Sequence, residues 1–280
     1  MNTSILATLR ATRAFRALAA ARYVDRTGQL RGLLLNAWNS ELGLYLVDDA
    51  DPRLQAANQW NAVYSYYATG RLALAWLLVR DGQVPQRHRL LLRALAAQVS
   101  AGWLFPLPWS LCCTALNPAV YAGFPSSPQA CSNLANGVNP YDRVAMLLRT
   151  TRERNVRTRV LEATRQARRN RARPGERSRQ DAAMEATTLF DFTWRSRTRA
   201  NYGDPSMFYV GTLTPERSAQ YIQSVRSVTT ATMLLFEALV AQRARSVLTD
   251  AAVHFISRDR SDITERVLVP RLRALGLLAP

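Results

Sequence analysis

The sequence of 280 residues has no lysine, and all 37 of its basic residues are arginines. Without lysine the chain can form neither a Walker-type phosphate loop nor a Schiff base with pyridoxal phosphate, and it has no lysine nucleophile. Acids are few as well, and the formal net charge at pH 7 is +17. A surplus of this size favours a polyanion as partner, such as RNA, DNA or an acidic protein surface.

Cysteine is scarce and odd in number: Cys112 and Cys113 are adjacent, and Cys131 is the third. The pattern lacks the paired spacing of a zinc site, and an odd count argues against the disulfide framework of a secreted protein. We therefore expect an intracellular protein of the cytoplasm that binds no metal. Residues 1–24 carry four arginines and no acid. This composition is typical of an organellar transit peptide or of an amphipathic first helix.

Motifs for cofactor-dependent and hydrolytic chemistry are also missing. The sequence has no Gly-rich dinucleotide fingerprint, no HExxH and no serine nucleophile elbow. Its acids are too scattered to nominate a catalytic carboxylate pair. We expect no cofactor, and phosphate chemistry by arginine is the enzymatic route that the composition favours.

Charge is absent from residues 94–141, which contain no acid, arginine or histidine. Six prolines interrupt this stretch, so a membrane-spanning helix of about 20 residues cannot be drawn through it. We predict an irregular, neutral, Pro-rich insertion that packs on the helices or docks a partner protein. The alternative is a membrane-associated loop, although we expect the chain to have no membrane partner.

Much of the remaining sequence has apolar residues at helical spacing, and the predicted fold class is all-α. Asp51-Pro52 is typical of a helix start and Asp81-Gly82 of a helix end, and a second helix is predicted over 85–99. The short connection between them favours an antiparallel helix pair. Further helices are predicted over 184–198 and from Thr214-Pro215 onwards, where the threonine caps the first turn.

Arginine is concentrated in residues 149–179, which hold twelve arginines against three glutamates. This stretch begins as an amphipathic helix and continues as a solvated loop around residues 171–177. Guanidinium groups bind phosphate oxygens in bidentate fashion and fix position without reading bases. We therefore predict a nucleic-acid-binding patch, and the alternative is a charged linker that binds nothing specific. The candidate residues are Arg165, Arg168, Arg169, Arg171 and Arg173.

A polar octapeptide follows one of the predicted helices, Arg197-Thr198-Arg199-Ala200-Asn201-Tyr202-Gly203-Asp204. It places an arginine, an amide and a phenol near a helix boundary, where a small polar site can form. The candidate catalytic residues are Arg197, Asn201 and Tyr202. The flanking Arg195 and Arg199 are further candidates for binding nucleic acid. In the alternative interpretation Arg197 bridges helix ends and Tyr202 anchors the corner through its hydroxyl.

Two blocks of the sequence resemble domains of the HEPN superfamily. The later block runs from Trp194 through the octapeptide and continues at Thr214-Pro-Glu into a long apolar helix. The earlier block, Tyr64-Ser-Tyr-Tyr-Ala68 with the residues through His88, is similar to the first helix pair of that family. The resemblance covers residues 51–93 and 183–245.

The resemblance implies an all-α helical bundle, often dimeric, whose arginine motif lies near a groove between subunits. Many family members are metal-independent ribonucleases of toxin–antitoxin, CRISPR or phage-defence systems, and they pair an arginine with a histidine a few residues further on. In this chain Tyr202 stands at the position of that histidine. A phenol with a pKa of about 10 is a poor base for a ribose hydroxyl at neutral pH, whereas imidazole titrates there.

The predicted organisation has six segments. They are N-terminal helices (1–50), a first HEPN-like helix pair (51–93), the neutral insertion (94–141), an arginine-rich helix and loop (142–182), closing HEPN-like helices (183–248) and a C-terminal helical tail (249–280) with a cap at Ser261. We expect a HEPN-like component of a prokaryotic antiviral-defence or toxin–antitoxin system, a homodimer that binds RNA or another polyanion. Two alternatives stay open: an active metal-independent endoribonuclease, and a non-catalytic assembly protein that docks a partner through residues 94–141.

Overall fold

The computed structural model describes residues 2–18, 26–47, 54–102, 104–132, 136–202 and 214–279, with the backbone alone at residues 2, 3, 55 and 202. The chain divides into two compact units. We call residues 1–87 and 196–280 the helical unit, and residues 88–195 the arginine-rich unit. About 72% of the chain is helix, so the prediction of a largely all-α fold is confirmed.

Helices and three short strands follow one another along the described residues. They are α1 (Asn2–Ala11), α2 (Arg13–Ala17), α3 (Thr27–Leu42), α4 (Leu54–Asp81), α5 (His88–Ser100), β1 (Cys112–Leu116), β2 (Ala119–Ala122), α6 (Pro140–Gln166), α7 (Glu176–Ala182), β3 (Thr187–Thr188), α8 (Leu189–Tyr202), α9 (Pro215–Arg258) and α10 (Asp262–Ala274). A 3₁₀ turn at Gly43–Tyr45 follows α3.

Two predicted helix starts are confirmed by their caps. The Thr214 hydroxyl accepts a hydrogen bond from the Arg217 amide at 3.3 Å, at the start of α9. Ser261 does the same for the Thr264 amide at 3.2 Å, at the start of α10. α9 runs past the boundary predicted at residue 248, with one non-helical residue at Ala244.

α9 is also the described helix that is long and apolar enough to cross a membrane by length and composition. The most apolar window of α9 is 61% buried within the fold. Core helices of soluble proteins meet the same criterion, so this property is weak evidence for a membrane.

In the helical unit, α3, α4 and α9 pack against one another. Large side chains at their contacts have no exposed surface, among them Trp38, Leu72, Trp76, Leu235 and Phe236. Trp38 also meets the ring of Phe255 edge-on, with the ring centroids 5.5 Å apart. Burial of one such side chain contributes roughly 1.5–3 kcal/mol, so these three helices form the main core of the unit.

A buried ion network joins three helices of the same unit. Arg271 of α10 donates two hydrogen bonds to Glu41 of α3, at 2.5 and 2.6 Å, and two to Glu237 of α9, at 2.7 and 2.9 Å. All three side chains are fully buried. Trp38 donates its indole N–H to Glu237 at 2.8 Å, and Thr230 donates its hydroxyl to Glu41 at 3.2 Å. One positive and two negative charges are thus enclosed in the core.

The electrostatics of this network make Arg271 indispensable to it. Burial raises the pKa of Glu237 above its usual value, and the charge of Arg271 opposes that shift. Burial alone would lower the pKa of Arg271, but Glu237 and Glu41 raise it above its ordinary value. Loss of the arginine would leave two buried carboxylates with no counter-charge, which is costly in a medium of low polarity.

The arginine-rich unit contains a small antiparallel sheet with the strand order β2-β1-β3. β1 and β2 form a hairpin within the stretch predicted to be irregular, so that prediction is wrong for residues 112–116 and 119–122. α5 extends into the same stretch as far as Ser100. β1 is the central strand, and its neutral side chains can be buried on both faces. The charge-free residues 94–141 therefore contain two β-strands as well as loops.

Because of the sheet, α8 begins later in the chain than the sequence predicts. Thr187 and Thr188 pair with Cys113 and Cys112 of β1, so the backbone there is extended. α8 consequently begins at Leu189 and not at residue 184 as predicted. β-Branched threonine favours this extended conformation over the helix.

Arg152 of α6 is a second fully buried arginine. Its guanidinium donates to the Asp181 carboxylate at 2.6 Å and to the carbonyl oxygens of Cys113, Asp181, Met184 and Glu185. These bonds connect α6 with β1, with α7 and with the segment before β3. Arg152 is therefore part of the interior of the arginine-rich unit and not of its charged surface.

Replacing Arg271 with Met is expected to lower the free energy of unfolding by about 3–5 kcal/mol, because two carboxylates stay buried without a counter-charge. Urea or thermal unfolding measures the loss. Arg266→Met on the same helix is the matched control. Arg266 is 65% exposed, and an exposed ion pair such as that with Asp262 contributes about 1 kcal/mol or less.

The loss of unfolding free energy in the Arg271→Met protein should be smaller at acidic pH than at neutral pH. Burial already raises the pKa of Glu237, and the variant lacks the charge that opposes this shift. The folded variant then binds more protons than its unfolded chain, so its stability falls as the pH rises through the folded-state pKa. Equal unfolding free energies for variant and wild type at neutral pH would contradict the role given to this network.

Candidate functional site

Arg197 lies on α8, in the part of that helix that belongs to the helical unit. Its Nη2 donates a hydrogen bond to the Tyr67 hydroxyl at 3.0 Å. The guanidinium also lies over two rings of α4, 5.8 Å from the centroid of Tyr66 and 5.5 Å from that of Tyr67. Nearby, the Gln59 side chain donates to the Ala200 carbonyl at 2.6 Å. α4 therefore holds this half-buried arginine by side-chain contacts within its own chain.

The rest of the octapeptide is described only in part. Asn201 and Arg199 are half-buried on the last turns of α8. The side chain of Tyr202, with Gly203 and Asp204, lies outside the described residues. The pairing of Arg197 with Tyr202 as catalytic residues thus stays a prediction.

Two phenols of this region, Tyr66 and Tyr221, are unsuited to act as bases. Burial raises the pKa of Tyr66 well above its ordinary value, and the positive charge of Arg197 offsets this only in part. Burial also raises the pKa of Tyr221, to about 12; this ring packs with Tyr67 on a small cluster that includes Ala200. A neutral, buried phenol donates a hydrogen bond, as Tyr groups in cores usually do.

No group of three His, Cys, Asp or Glu side chains in the described part of the chain could hold a metal ion. Burial raises the pKa of Cys113 to about 11, so its thiol is protonated at neutral pH. Cys112 is likewise buried, and burial raises its pKa. These two thiols are core residues of β1.

The twelve arginines of residues 149–179 separate into two groups. Five have partners: Arg152 in the interior, Arg149 with Glu153 (3.3 Å), Arg159 with Glu185 (3.0 Å), and both Arg179 (3.0 Å) and Arg169 (3.9 Å) with Glu176. The side chains of the other seven make no hydrogen bond or ion pair with any described residue. These seven unpaired arginines are Arg154, Arg157, Arg165, Arg168, Arg171, Arg173 and Arg177.

The structure distributes the predicted nucleic-acid-binding residues unevenly. Arg165, Arg168, Arg171 and Arg173 are exposed at the end of α6 and in the loop before α7. Of the five candidates predicted in this stretch, Arg169 differs from these four. The half-buried Arg169 is directed at Glu176. Arg195, the other candidate in this unit, is half-buried and donates from Nη1 to the hydroxyls of Thr150 and Thr151, at 3.2 and 3.0 Å.

A cavity of 370 Å³ in the arginine-rich unit has a basic lining that sequence reasoning missed. It is lined by Thr150, Glu153, Arg154, Arg157 and Val160 of α6 and by Arg177 of α7. We call it the α6–α7 cavity. The α6 members recur three or four residues apart, which places them on one helix face and was visible in the sequence. Arg177 reaches the same cavity because α7 packs against α6. No local sequence pattern predicts that packing.

A second, larger cavity of 810 Å³ lies beside the β1–β2 hairpin. Its lining comes from residues 116–130 together with Arg149, and Arg149 is its charged member. Tyr121 and Phe124 form part of the wall and meet edge-on, with their centroids 5.6 Å apart. This concavity, called here the hairpin cavity, is formed mainly by the insertion.

Comparison of the chain with protein-family models, with curated proteins and with solved structures finds no match in any of the three. Function is therefore inferred from the geometry and charge of the chain's own residues.

Replacing Arg197 with Met is expected to lower the free energy of unfolding by about 1–3 kcal/mol, because one charge-assisted hydrogen bond and two contacts with aromatic rings are lost. Arg199→Met on the same helix is the control and should change stability by less than about 1 kcal/mol. Denaturant unfolding of both variants measures the difference. A stable Arg197→Met protein would mean that the contacts with Tyr66 and Tyr67 do not hold α8 on α4.

Proposed function

We propose that this chain binds RNA through the arginine-rich unit. The observation that carries the proposal is the set of seven unpaired arginines on α6, in the following loop and on α7. Unpaired guanidinium groups can neutralise phosphates, and binding then releases the salt ions condensed on the nucleic acid. A surface of this kind grips the phosphate backbone and does not read base sequence.

The class of system is proposed from the resemblance to HEPN domains. One contact supports a HEPN type for the helical unit: the two blocks that carry the resemblance meet at Arg197 and Tyr67, 3.0 Å apart. From the same resemblance we propose a homodimer and a place in a prokaryotic antiviral-defence or toxin–antitoxin system. Within such a system the arginine-rich unit would hold the RNA.

Cleavage of the bound RNA is not part of the proposal. Arg197 is engaged by Tyr67 and lies against Tyr66, so it is held as a structural bridge between α8 and α4. A phenol at position 202 is a poor base at neutral pH. Metal-independent RNA cleavage that depends on Arg197, Asn201 and Tyr202 would overturn the proposal that the chain binds RNA without cleaving it.

A second candidate function is favoured by the hairpin cavity. It is an open concavity of 810 Å³ whose walls are mostly apolar and uncharged residues of the insertion. Val120 (45%) and Leu107 (43%) are exposed apolar side chains of the same insertion. These features suit an assembly protein that docks a partner through residues 94–141, and this function needs no RNA.

RNA binding should depend, in a salt-sensitive manner, on the unpaired arginines at the end of α6 and in the loop that follows it. Each phosphate contact on a single strand contributes about 0.7 to the slope of log affinity against log salt, so removal of three should reduce it by about two. Fluorescence anisotropy with a labelled single-stranded RNA at several salt concentrations measures the slope. The test variant carries Gln at Arg165, Arg168 and Arg171; the control, with equal loss of charge, carries Gln at Arg10, Arg13 and Arg266. Equal weakening in both would mean that net charge alone attracts RNA.

Incubation with labelled RNA in EDTA should leave the RNA intact, since Arg197 is occupied by its contacts with α4. Gel electrophoresis after incubation measures cleavage. Cleavage by the wild type that disappears in Arg197→Met and persists in Arg199→Met would establish the ribonuclease instead. Cleavage that is equal in all three proteins would indicate a contaminating nuclease.

A further inference from the structure

The α6–α7 cavity has a chemistry that differs from that of the exposed arginines around it. We propose that it binds a phosphate monoester, namely the terminal phosphate of the RNA strand that the arginine-rich unit holds. This inference rests on the proposed RNA-binding function and names the part of the RNA that the cavity recognises.

Three of the seven unpaired arginines converge on this cavity. Arg154 and Arg157 lie on one face of α6, and Arg177 faces them from α7. Glu153 is the acidic member of the lining, and its carboxylate is already bound to Arg149 at 3.3 Å. Three arginines and one glutamate give the lining a net charge of +2, so it attracts an anion with about two negative charges.

The walls of the cavity are held in place by buried interactions. Arg152 lies on the buried side of the same stretch of α6 and binds the Asp181 carboxylate of α7 at 2.6 Å. Two residues earlier, the Thr150 hydroxyl of the lining accepts a hydrogen bond from Arg195 at 3.2 Å. Arg177 is therefore presented to α6 by a fixed helix, and little ordering of the walls is needed when an anion enters.

A terminal phosphate fits this arrangement better than a phosphate within the strand. A monoester has a second pKa of about 6, so at neutral pH it carries nearly two charges and three free acceptor oxygens. A linking phosphate has one charge, and its chain must continue on both sides. The cavity of 370 Å³ is a concave site lined by residues of α6 and α7, where the end of a strand can enter. The arginines at positions 165, 168, 171 and 173 are exposed at the end of α6 and in the following loop, which suits the continuing strand.

Three RNA oligonucleotides of one sequence test the inference: one with a 5′-phosphate, one with a 3′-phosphate and one with hydroxyls at both ends. At least one phosphorylated form should bind about tenfold more tightly than the hydroxyl form, as expected for added charge-assisted hydrogen bonds. Equal affinity for all three would overturn the inference and leave the proposed RNA binding intact.

Two variants with equal loss of charge test which arginines produce the preference for a phosphorylated RNA end. Gln at Arg154, Arg157 and Arg177 should remove the preference for the phosphorylated end. Gln at Arg165, Arg168 and Arg171 should weaken all three oligonucleotides alike and retain the preference. Loss of the preference in both variants would mean that total charge produces it, which overturns the inference. If the first triple variant does not fold, the single Arg157→Gln must still reduce the preference.

Adenosine 5′-monophosphate separates the failure of the cavity from the failure of the proposed function. Isothermal titration should show that the wild type binds this monoester and not adenosine, and that the Arg154, Arg157 and Arg177 variant binds neither. If the wild type binds the monoester but no RNA, the cavity is a phosphate site and the RNA function is wrong. If the wild type binds RNA but neither the monoester nor either phosphorylated end preferentially, the cavity inference is wrong.

Discussion

The helical unit depends on the hydrogen bonds that Arg271 makes with Glu41 and Glu237. They connect α10 with a helix 230 positions earlier in the chain, and they fix its angle and depth because four bonds from one planar group allow a single arrangement. A lysine could not replace it, since an ammonium has three donors and no fork geometry. Arg152 has the corresponding place in the arginine-rich unit, where it binds one carboxylate and four carbonyl oxygens.

Arginine side chains also bind the free carbonyl oxygens at the ends of helices in this chain, which has no lysine. Arg226 donates to the carbonyl of Leu44 in the 3₁₀ turn and to that of Val47 just after it, at 2.9 and 3.0 Å. Arg243 donates to the Arg80 carbonyl at 2.9 Å, in the last turn of α4. Unsatisfied carbonyls at such ends favour a cation. Much of the positive charge is therefore part of the fold, and the seven unpaired arginines are the portion of the 149–179 stretch that is left for a ligand.

How much the sequence could predict follows from the range of each interaction. The caps at Thr214 and Ser261 and the face of α6 with Arg154 are local, so spacing predicts them. The contact between Arg197 and Tyr67 spans 130 positions, and the burial of Arg152 needs a carboxylate 29 positions away. A charge count cannot distinguish such an arginine from an exposed one. The hairpin was missed because strands without charged residues show no alternation of polar and apolar side chains.

The distant pairing of Arg271 has a consequence for synthesis of the chain. The arginine-rich unit is complete once Arg195 has been added, whereas the two glutamates of the helical unit must wait for residue 271. At ordinary rates of translation the interval is about 4 to 15 seconds. During that time the arginine-rich unit has all the residues that it needs to fold, while the helical unit does not. The arginine-rich unit can therefore fold first, and the core of the helical unit is completed only when α10 reaches α3.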